Sequence, residues 1–524
     1  MAARVKKTLT VTVLALGAAM GCALLLPLRG AQANVPTVNI IENFAGVDFS
    51  SDFVVPPDSN GAAGPNDYVE YINGAVAIYG KNGTPVSQIS DTTFWTNAGI
   101  NPAIISAGLS DPRTIYDPAS GHFFAVQITT DTTGNKVLVA RSNSSDPTGG
   151  WKAVQFTGNA QFADFPTLGL DANGVYVGTN NFTSNTGTFT GVSLFSIPKS
   201  DLLASTPTLA NMTSKENLDS FGTPTTTGRG GTLQPAVDLS GASGAILSTD
   251  AHPLSDQPAL STFGTIYRAT LSGTGGPGAS LSPTTKISGL SDGSPAPARQ
   301  PDGTAVIDAG INDFSAHVAQ VGNLIFSART ISDNHDPALA THDYIDWTIL
   351  NATTNTVVHE GMISDPHFDY YYPSIAANSN GNILLAFNRS GGPLSGAAGS
   401  VSAYAQACQL SGGSTVQCGN PFLLKQGSGN YHLELELGLI PPGPERWGDY
   451  SATGRDPINT ANFWTVQEVA VPDTTGILTG SMWGTEITEI GFVGVVPEPS
   501  TLALMSLGLL GLAARRRRGR TPLA

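Results

Sequence analysis

One hairpin pattern recurs along the chain and restricts the possible folds more than any other feature. The segment 372–390, YPSIAANSNGNILLAFNRS, has two runs of alternating side chains on either side of an Asn-Gly turn. The segment 165–182, FPTLGLDANGVYVGTNNF, carries Pro and Asn-Gly at matching offsets. Weaker copies occupy residues 66–83, 111–129, 234–251, 315–330 and 448–468. The chain therefore contains a repeated strand-turn-strand unit in seven copies.

The spacing of these hairpins predicts an all-β fold, a single β-propeller with seven blades. Units of roughly 50 to 80 residues with three or four strands each fit blades arranged around a central channel. Gly (60) and Pro (35) are abundant and charged residues make up only 12%, which favours short strands joined by turns. Helical periodicity is confined to the short stretch KSDLLAS after Pro198. An array of β-sandwiches is the alternative, but it would not explain why one hairpin recurs.

Two further strand-like segments predict how the ring closes. VNIIENF (38–44) stands alone before the first repeat, and MWGTEITEIGF (482–492) ends the last one. Because a propeller leaves few exposed strand edges, we expect these terminal strands to share a blade. The two ends of the propeller domain should then be adjacent.

The C-terminal segment 496–520, VPEPSTLALMSLGLLGLAARRRRGR, combines a Pro-Glu-Pro motif, a short apolar run and an arginine cluster. The apolar run is shorter than the ~20 residues of a stable membrane span, and the arginines favour the cytoplasmic side. This order resembles the PEP-CTERM sorting signal of Gram-negative bacteria, which implies processing by an exosortase and transfer to the cell surface. The motif residues are Pro497, Glu498, Pro499, Arg515, Arg516, Arg517 and Arg518. An ordinary membrane anchor is the alternative.

The N-terminal segment is typical of a secretory signal peptide. Lys6 and Lys7 precede an apolar stretch from Leu9 to Leu26, and Ala-Gln-Ala at 31–33 suits signal peptidase. We therefore expect a signal peptide at 1–33, a propeller domain at 34–496 and a sorting tail at 497–524. The expected route is export, transient inner-membrane anchoring and then the cell surface or the medium.

The charge balance excludes nucleic acid as a partner. The chain has 25 Lys and Arg against 40 Asp and Glu, a formal net charge of −15, whereas binding of a phosphate backbone needs clustered positive charge. An acidic exported protein is compatible with calcium as a cofactor. Asp58, Asn60 and Asp67 supply oxygen ligands in a Gly-rich loop, although the spacing of an EF-hand is absent. The alternative is a turn-rich connection.

Two cysteines, Cys408 and Cys418, flank a Ser-Gly-Gly-Ser turn. In an oxidising compartment they could face each other across a hairpin, so we expect a disulfide.

Polar residues at the starts of the repeats predict a binding site at one end of the channel. The first strand of each blade would line the channel, so residues that open the repeats converge on one face. Two arginines that end second strands run back toward the same face. The candidates are Asp111, Arg113, Asp164, Gln234, His317, Arg329, Tyr371, Arg389 and Asp449. Each also has a structural alternative as a turn-forming or hydrogen-bonded residue.

Several segments resemble a broad group of largely uncharacterised exported bacterial propeller proteins that are distantly sialidase-like. They are PPDSNGAAGPNDYVEYINGAVAIYGKNG, SDPRTIYDPASGHFF, SNSSDPTGGW and RWGDYSATGRDP. The resemblance implies a fold more than an activity. Sialidase-like hydrolysis would use Arg113, Arg329 and Arg389 as a carboxylate clamp and Tyr371 or Tyr372 as nucleophile, but the Phe-Arg-Ile-Pro signature is missing. The preferred hypothesis is a binding or structural component of the envelope or its polysaccharide matrix, with glycoside hydrolysis as the alternative.

Overall fold

Short antiparallel strands dominate the structure, which confirms the all-β prediction. The computed structural model describes residues 35–158, 160–219, 228–250, 264–303, 306–334, 342–439 and 444–493. These residues belong to one compact unit. The predicted signal peptide and sorting tail lie outside the described residues.

The first strand, β1 (Thr37–Asp48), is followed by three four-stranded antiparallel groups. Their strands are β2 (Asn60–Ala63), β3 (Asp67–Ile72), β4 (Ala75–Gly80) and β5 (Pro85–Ser90); β6 (Leu109–Asp117), β7 (His122–Thr129), β8 (Lys136–Ser142) and β9 (Trp151–Thr157); and β10 (Phe162–Leu170), β11 (Gly174–Phe182), β12 (Phe189–Pro198) and β13 (Thr213–Leu218).

Four further groups complete the described chain, with a two-stranded ribbon between the fourth and fifth groups. Their strands, in chain order, are β14 (Gly231–Val237), β15 (Ala245–Thr249), β16 (Gly264–Ser272), β17 (Ser280–Leu281) and β18 (Thr285–Leu290); the ribbon β19 (Ala298–Arg299) and β20 (Val306–Ile307); β21 (Val318–Val321), β22 (Leu324–Ser332), β23 (Asp343–Asn351) and β24 (Thr356–Ile363); β25 (Phe368–Ala377), β26 (Asn382–Gly391), β27 (Ser402–Ser411), β28 (Thr415–Cys418) and β29 (Phe422–Lys425); and β30 (Ala452–Arg455), β31 (Asn462–Pro472) and β32 (Ser481–Val493).

The first strands of neighbouring groups lie side by side. Strands β10 and β14 pair in parallel at Leu170 and Val237, and β14 pairs in parallel with β21 at Ala236 and Val318. Within each group the chain then runs outward through antiparallel neighbours. The starts of the first strands of these three groups therefore lie at one end of the molecule.

Turn chemistry explains the Asp or Asn that recurs in the hairpins. The Asp171 carboxylate accepts the backbone N–H groups of Asn173 and Gly174, and the Asn378 side chain accepts that of Asn380. Such side-chain bonds stabilise the tight turn between first and second strands. Equivalent turns form at Asp117, Asp238 and Asp456.

Apolar cores lie between successive groups. Phe124 and Val139 of the second group pack with Leu168 and Val177 of the third in one fully buried cluster. Burial of each such side chain contributes about 1.5–3 kcal/mol relative to exposure. The repeated groups are therefore held mainly by contact between their faces.

The structure confirms the predicted disulfide and the predicted pairing of the two terminal strands. Cys408 and Cys418 form a disulfide between β27 and β28, where they are directly paired. β1 pairs antiparallel with β32, with Thr37 opposite Val493 and Phe44 opposite Ile487. The two terminal strands therefore belong to one four-stranded sheet, in the order β1-β32-β31-β30.

In the described part of the chain, three short α-helices accompany the strands: α1 (Asp91–Asn97), α2 (Lys199–Leu203) and α3 (Leu433–Glu436). α2 is the helix predicted after Pro198, whereas the other two were not predicted. α1 forms because the Ser90 side chain caps it by accepting the Thr93 N–H (3.1 Å), while Phe94 and Trp95 are buried. Its stability depends on tertiary burial, which the local sequence does not reveal.

The first group also differs from the predicted repeat. The copy at 66–83 forms its second and third strands, whereas the first strand, β2, lies within the segment 58–67 that was interpreted as a loop. β2 has almost no bulky side chains because Tyr68 lies against it: a Cβ on Gly61 would approach the Tyr68 hydroxyl to 2.5 Å. Because these residues are small, the strand lacks the alternation of apolar and polar side chains that predicts a strand.

Candidate functional site at the channel mouth

The first strands begin with an unusual backbone conformation at one shared position. Asp111, Phe165, Thr232 and Tyr372 have φ values of 60°, 50°, 49° and 48°. In all four hairpins the register shifts at this point, as in a β-bulge. Non-glycine residues in this region cost about 1–3 kcal/mol each and cluster at functional sites. The repeated strain therefore makes this end of the molecule a candidate functional site.

Side chains of the preceding group hold these strained positions. The Phe165 N–H donates to the Asp111 carboxylate (3.0 Å), and the Thr232 N–H donates to the Asn180 side-chain oxygen (3.2 Å). The Tyr372 N–H likewise donates to the Thr330 hydroxyl (3.2 Å). Each bond joins successive groups, so the strained residues also act as links between them.

A cavity of about 340 Å³ opens among these strand starts. We call it the mouth cavity. Its side chains are mainly acidic and aromatic, with one arginine. They include Asp164, Asp308, Asp313 and Asp449, the aromatic rings of Phe165, Phe182 and Tyr372, and Arg446.

Ion pairs occupy one side of the mouth cavity. Arg446 Nη2 lies 2.6 Å from Asp449 Oδ1, and Arg446 Nε lies 3.4 Å from Asp308 Oδ2. The Asp449 carboxylate raises the pKa of Arg446, so the guanidinium is permanently charged. Arg446 thus neutralises part of the acidic lining and fixes the position of Asp449.

Two other aspartates of the lining hold protons more tightly than usual. Burial, together with the nearby Asp111 and Asp449 carboxylates, raises the pKa of Asp164 to about 8. Burial likewise raises the pKa of Asp313 to about 6, although Arg113 opposes this shift. Asp164 is consequently protonated near neutral pH and can donate a hydrogen bond or a proton.

Tyr372 presents a polar group without a protein partner. Its side chain is 3% exposed, it lines the mouth cavity, and its hydroxyl has no hydrogen-bond partner in the described structure. Gly310, also in the lining, lets the ring lie close, since a Cβ there would approach it to 2.9 Å. A buried hydroxyl without a partner is costly, so a ligand or solvent atom is expected to satisfy it.

Arg113 lies beneath the mouth cavity rather than in its lining. Its side chain is fully buried, its guanidinium carbon stacks 3.4 Å from the centre of the Tyr450 ring, and Nη1 donates to the Ser315 carbonyl (2.5 Å). Its Nε and Nη2 have no partner among the described residues. Asp111, whose pKa is raised mainly by burial, lies nearby and supplies negative charge.

His317 lies at a second, much smaller cavity of about 70 Å³, which is lined by the first strands. Burial, followed by repulsion from Arg113, lowers the pKa of His317 to about 3. The imidazole is therefore neutral at physiological pH. This inner cavity is too small for a sugar ring but large enough for water.

Of the nine sequence-predicted residues, Asp164 and Asp449 line the mouth cavity, whereas Asp111, Arg113, His317 and the following four do not. Arg329 forms an ion pair with Asp346 (3.0 Å), and Arg389 stacks between the rings of Phe368 and Tyr404. The three arginines of the hypothetical carboxylate clamp thus have separate partners and are not brought together. Gln234 and Tyr371 are fully buried and absent from the lining.

The expected calcium ligands are not brought together either. Asp58 is buried and accepts hydrogen bonds from the Asn73 amide (2.8 Å) and the Asp449 N–H (2.9 Å). Asn60 accepts the Thr114 N–H (2.8 Å). Asp67 begins β3 at the opposite end of the hairpin, because Asn60 pairs with Tyr71. In the described ranges, no group of three His, Cys, Asp or Glu side chains could hold a metal ion.

Asp308, Asp313 and Arg446 were missed by sequence analysis. They lie in loops that precede the first strands of the fifth and seventh groups, where the repeat is weakest. The segment RWGD did carry one signal, since an Arg three residues before an Asp allows the pair seen at Arg446 and Asp449. Loop residues of this kind can be assigned to a cavity only once the topology is known.

Residues 495–518 match the PEP-CTERM protein-sorting motif. This motif marks export and sorting to the cell surface through a C-terminal tail that is transiently anchored in the membrane. The expected sorting signal is thereby confirmed, and processing by an exosortase is implied. Within the described ranges, no helix has the length and apolar character needed to cross a bilayer.

Solved structures similar to this chain include several carbohydrate-active proteins. The α-L-arabinofuranosidase Arb93A from Fusarium graminearum has a TM-score of 0.38 and 10% identity, over 85% of this chain and 97% of that chain. Trypanosoma rangeli sialidase has a TM-score of 0.34 and 9% identity, over 86% and 62%. Drosophila Plexin A has a TM-score of 0.36 and 6% identity, over 87% and 88%. No curated protein sequence matches this chain at a significant level.

Proposed function

We propose that this chain is an exported, surface-sorted seven-bladed β-propeller that binds glycan in the mouth cavity and acts as a component of the envelope or its polysaccharide matrix. Seven antiparallel groups, with β1 completing the last, support the blade number. In this proposal signal peptidase removes residues 1–33, and an exosortase-type enzyme processes the tail from residue 497.

The observation that carries the binding role is the composition of the mouth cavity. Three aromatic rings and four carboxyl groups line a space of about 340 Å³, and the Tyr372 hydroxyl lacks a partner among the described residues. Sugar rings present apolar faces that pack on aromatic side chains, together with hydroxyl groups that hydrogen-bond to carboxyl and hydroxyl oxygens. A cavity of this size takes one or a few sugar units.

A glycan array and calorimetric titration of purified residues 34–496 test this role. Tyr372→Phe should weaken saturable binding about five- to tenfold, since one hydrogen bond contributes about 1 kcal/mol. Tyr371→Phe is the matched control, because that ring lies outside the lining, and it should bind as the wild type does. Absence of binding to every array glycan, or equal loss in both variants, would overturn the proposal.

Glycoside hydrolysis is the second candidate, and one observation favours it. Asp164, protonated near neutral pH, shares the mouth cavity with the Asp449 carboxylate, which is paired with Arg446. A protonated carboxyl group and a carboxylate on one cavity are the two groups that glycosidases need. Turnover of a bound glycan that Asp164→Asn abolishes without loss of binding would favour the enzyme; binding without turnover favours the binding role.

A further inference from the structure

The mouth cavity has more acidic groups than its arginine can neutralise. Arg446 is already paired with Asp449 and Asp308. Asp164 and Asp313, in the same lining, form no ion pair with any residue that the structure describes. Arg113 interacts electrostatically with Asp313, but it is stacked on Tyr450 and is not part of the lining. One side of the cavity thus holds carboxyl groups without an ion-pair partner. A positively charged ligand would favour their ionised form, including that of Asp164, which holds its proton near neutral pH in the free protein.

A second feature points to a ligand independently of charge. The Tyr372 hydroxyl, in a side chain only 3% exposed, has no partner and belongs to the lining. The rings of Phe165 and Phe182 line the same space. Aromatic faces attract cations as well as the apolar face of a sugar. The cavity therefore combines a hydrogen-bonding group, aromatic surfaces and carboxyl groups without an ion-pair partner.

We propose that the mouth cavity selects a glycan that carries a primary ammonium group, the chemical class of an amino sugar. This inference rests on the proposed glycan-binding function and names its ligand class. The ammonium group binds between Asp164 and Asp313, while the sugar ring packs on the aromatic lining and hydrogen-bonds to Tyr372. Burial of a carboxyl group is unfavourable without a counter-charge, and the ligand supplies one.

The same charges disfavour a glycan that carries a carboxylate. The only arginine in the described lining is already engaged by two aspartates, so a uronic or sialic acid would face the Asp313 carboxylate, whose pKa of about 6 leaves it ionised at neutral pH, without a free cation. Like charges within one buried cavity oppose binding. The preferred ligand is thus a cation, whereas the hypothetical arginine clamp would bind an anionic carboxylate.

The test is calorimetric titration of residues 34–496 with a glucosamine oligosaccharide and with its fully N-acetylated counterpart of equal length. The amino form should bind on the order of tenfold more tightly, as expected for a hydrogen bond to a charged group. Asp164→Asn combined with Asp313→Asn should remove that preference while retaining binding of the N-acetylated form. Asp473→Asn, a change in a turn outside the lining, should preserve that preference. Thermal melting confirms that each variant is folded.

The outcomes separate the two proposals. Equal affinity for both oligosaccharides, or a tighter uronic acid oligosaccharide, overturns the amino-sugar inference and leaves glycan binding intact. Binding of neither oligosaccharide overturns this inference, and failure of all array glycans overturns the proposed function as well. Spermidine or calcium chloride that binds as tightly as the amino oligosaccharide shows a simple cation site and overturns the sugar part of the inference.

Discussion

At the scale of single residues, strained backbone positions and the mouth cavity occur together at the strand starts. Asp111 adopts a left-handed conformation and also accepts the N–H of the next left-handed residue, Phe165. Asp and Asn tolerate this conformation better than most residues, whereas Ala neither tolerates it nor accepts the bond. The sequence predicted Asp164 and Asp449, which the structure places in the lining, because they open repeats. It could not reveal that Tyr372 rather than Tyr371 lines the cavity, since this depends on the bulge between Tyr371 and Ser374.

Asp111→Ala should lower the free energy of unfolding by about 1–3 kcal/mol, because the Phe165 N–H loses its acceptor in a buried place. Asp111→Asn keeps an acceptor and should cost less than about 1 kcal/mol. Urea unfolding followed by tryptophan fluorescence measures both. Equal destabilisation by the two variants would show that charge, rather than the hydrogen bond, matters at this position.

Asp164 should make stability depend on pH. Its pKa is 3.8 in an unfolded chain and about 8 in the folded protein, so the folded state holds the extra proton between those values. The free energy of unfolding contributed by this group is therefore present at low pH and lost as pH rises from about 4 to about 8. Asp164→Asn should reduce the decrease in the free energy of unfolding between about pH 4 and pH 8, measured by urea unfolding at several pH values. An unchanged pH dependence in this variant would contradict the raised pKa of Asp164.

At the scale of elements, the repeat pattern predicted the hairpin strands well but did not predict the elements that depart from the pattern. Alternating side chains and Asn-Gly turns revealed the hairpins at 165–182 and 372–390, because those signals are local. β2 was missed because its residues are small, and α1 because its aromatic residues are buried by distant strands. Local sequence therefore predicts an element only where its own residues carry the pattern.

The β27–β28 hairpin offers a quantitative test at this scale. Reduction of the Cys408–Cys418 disulfide should lower the free energy of unfolding by about 2–3 kcal/mol, since the enclosed loop is short. Cys418→Ser should be destabilised by a similar amount and should not respond to dithiothreitol. A wild-type protein that is equally stable with and without reductant would contradict this expectation.

At the scale of the whole molecule, β1 completes the last strand group. The Val47 N–H and the Thr485 hydroxyl both donate to the buried Glu70 carboxylate, so β1 and β32 are also joined to the first group. Deletion of residues 35–48 should expose the edge of β32 and lower the melting temperature by more than 10 °C, or cause aggregation. A synthetic peptide of residues 35–48 should partly restore the melting temperature, whereas a scrambled peptide should not. Unchanged melting of the deletion variant would show that β1 is dispensable.

The pairing of Thr37 with Val493 also governs when the molecule can finish folding. The N-terminal strand leaves the translocation channel first, yet its partner leaves last. During export β1 lacks its partner until β32 emerges, so the sheet that joins the two terminal strands cannot form progressively as the chain emerges. The last fold-completing strand is followed directly by the sorting tail, and the membrane holds that tail while β1 docks. We therefore expect retention at the membrane to provide time for β1 to pair with β32 before the protein is released to the surface.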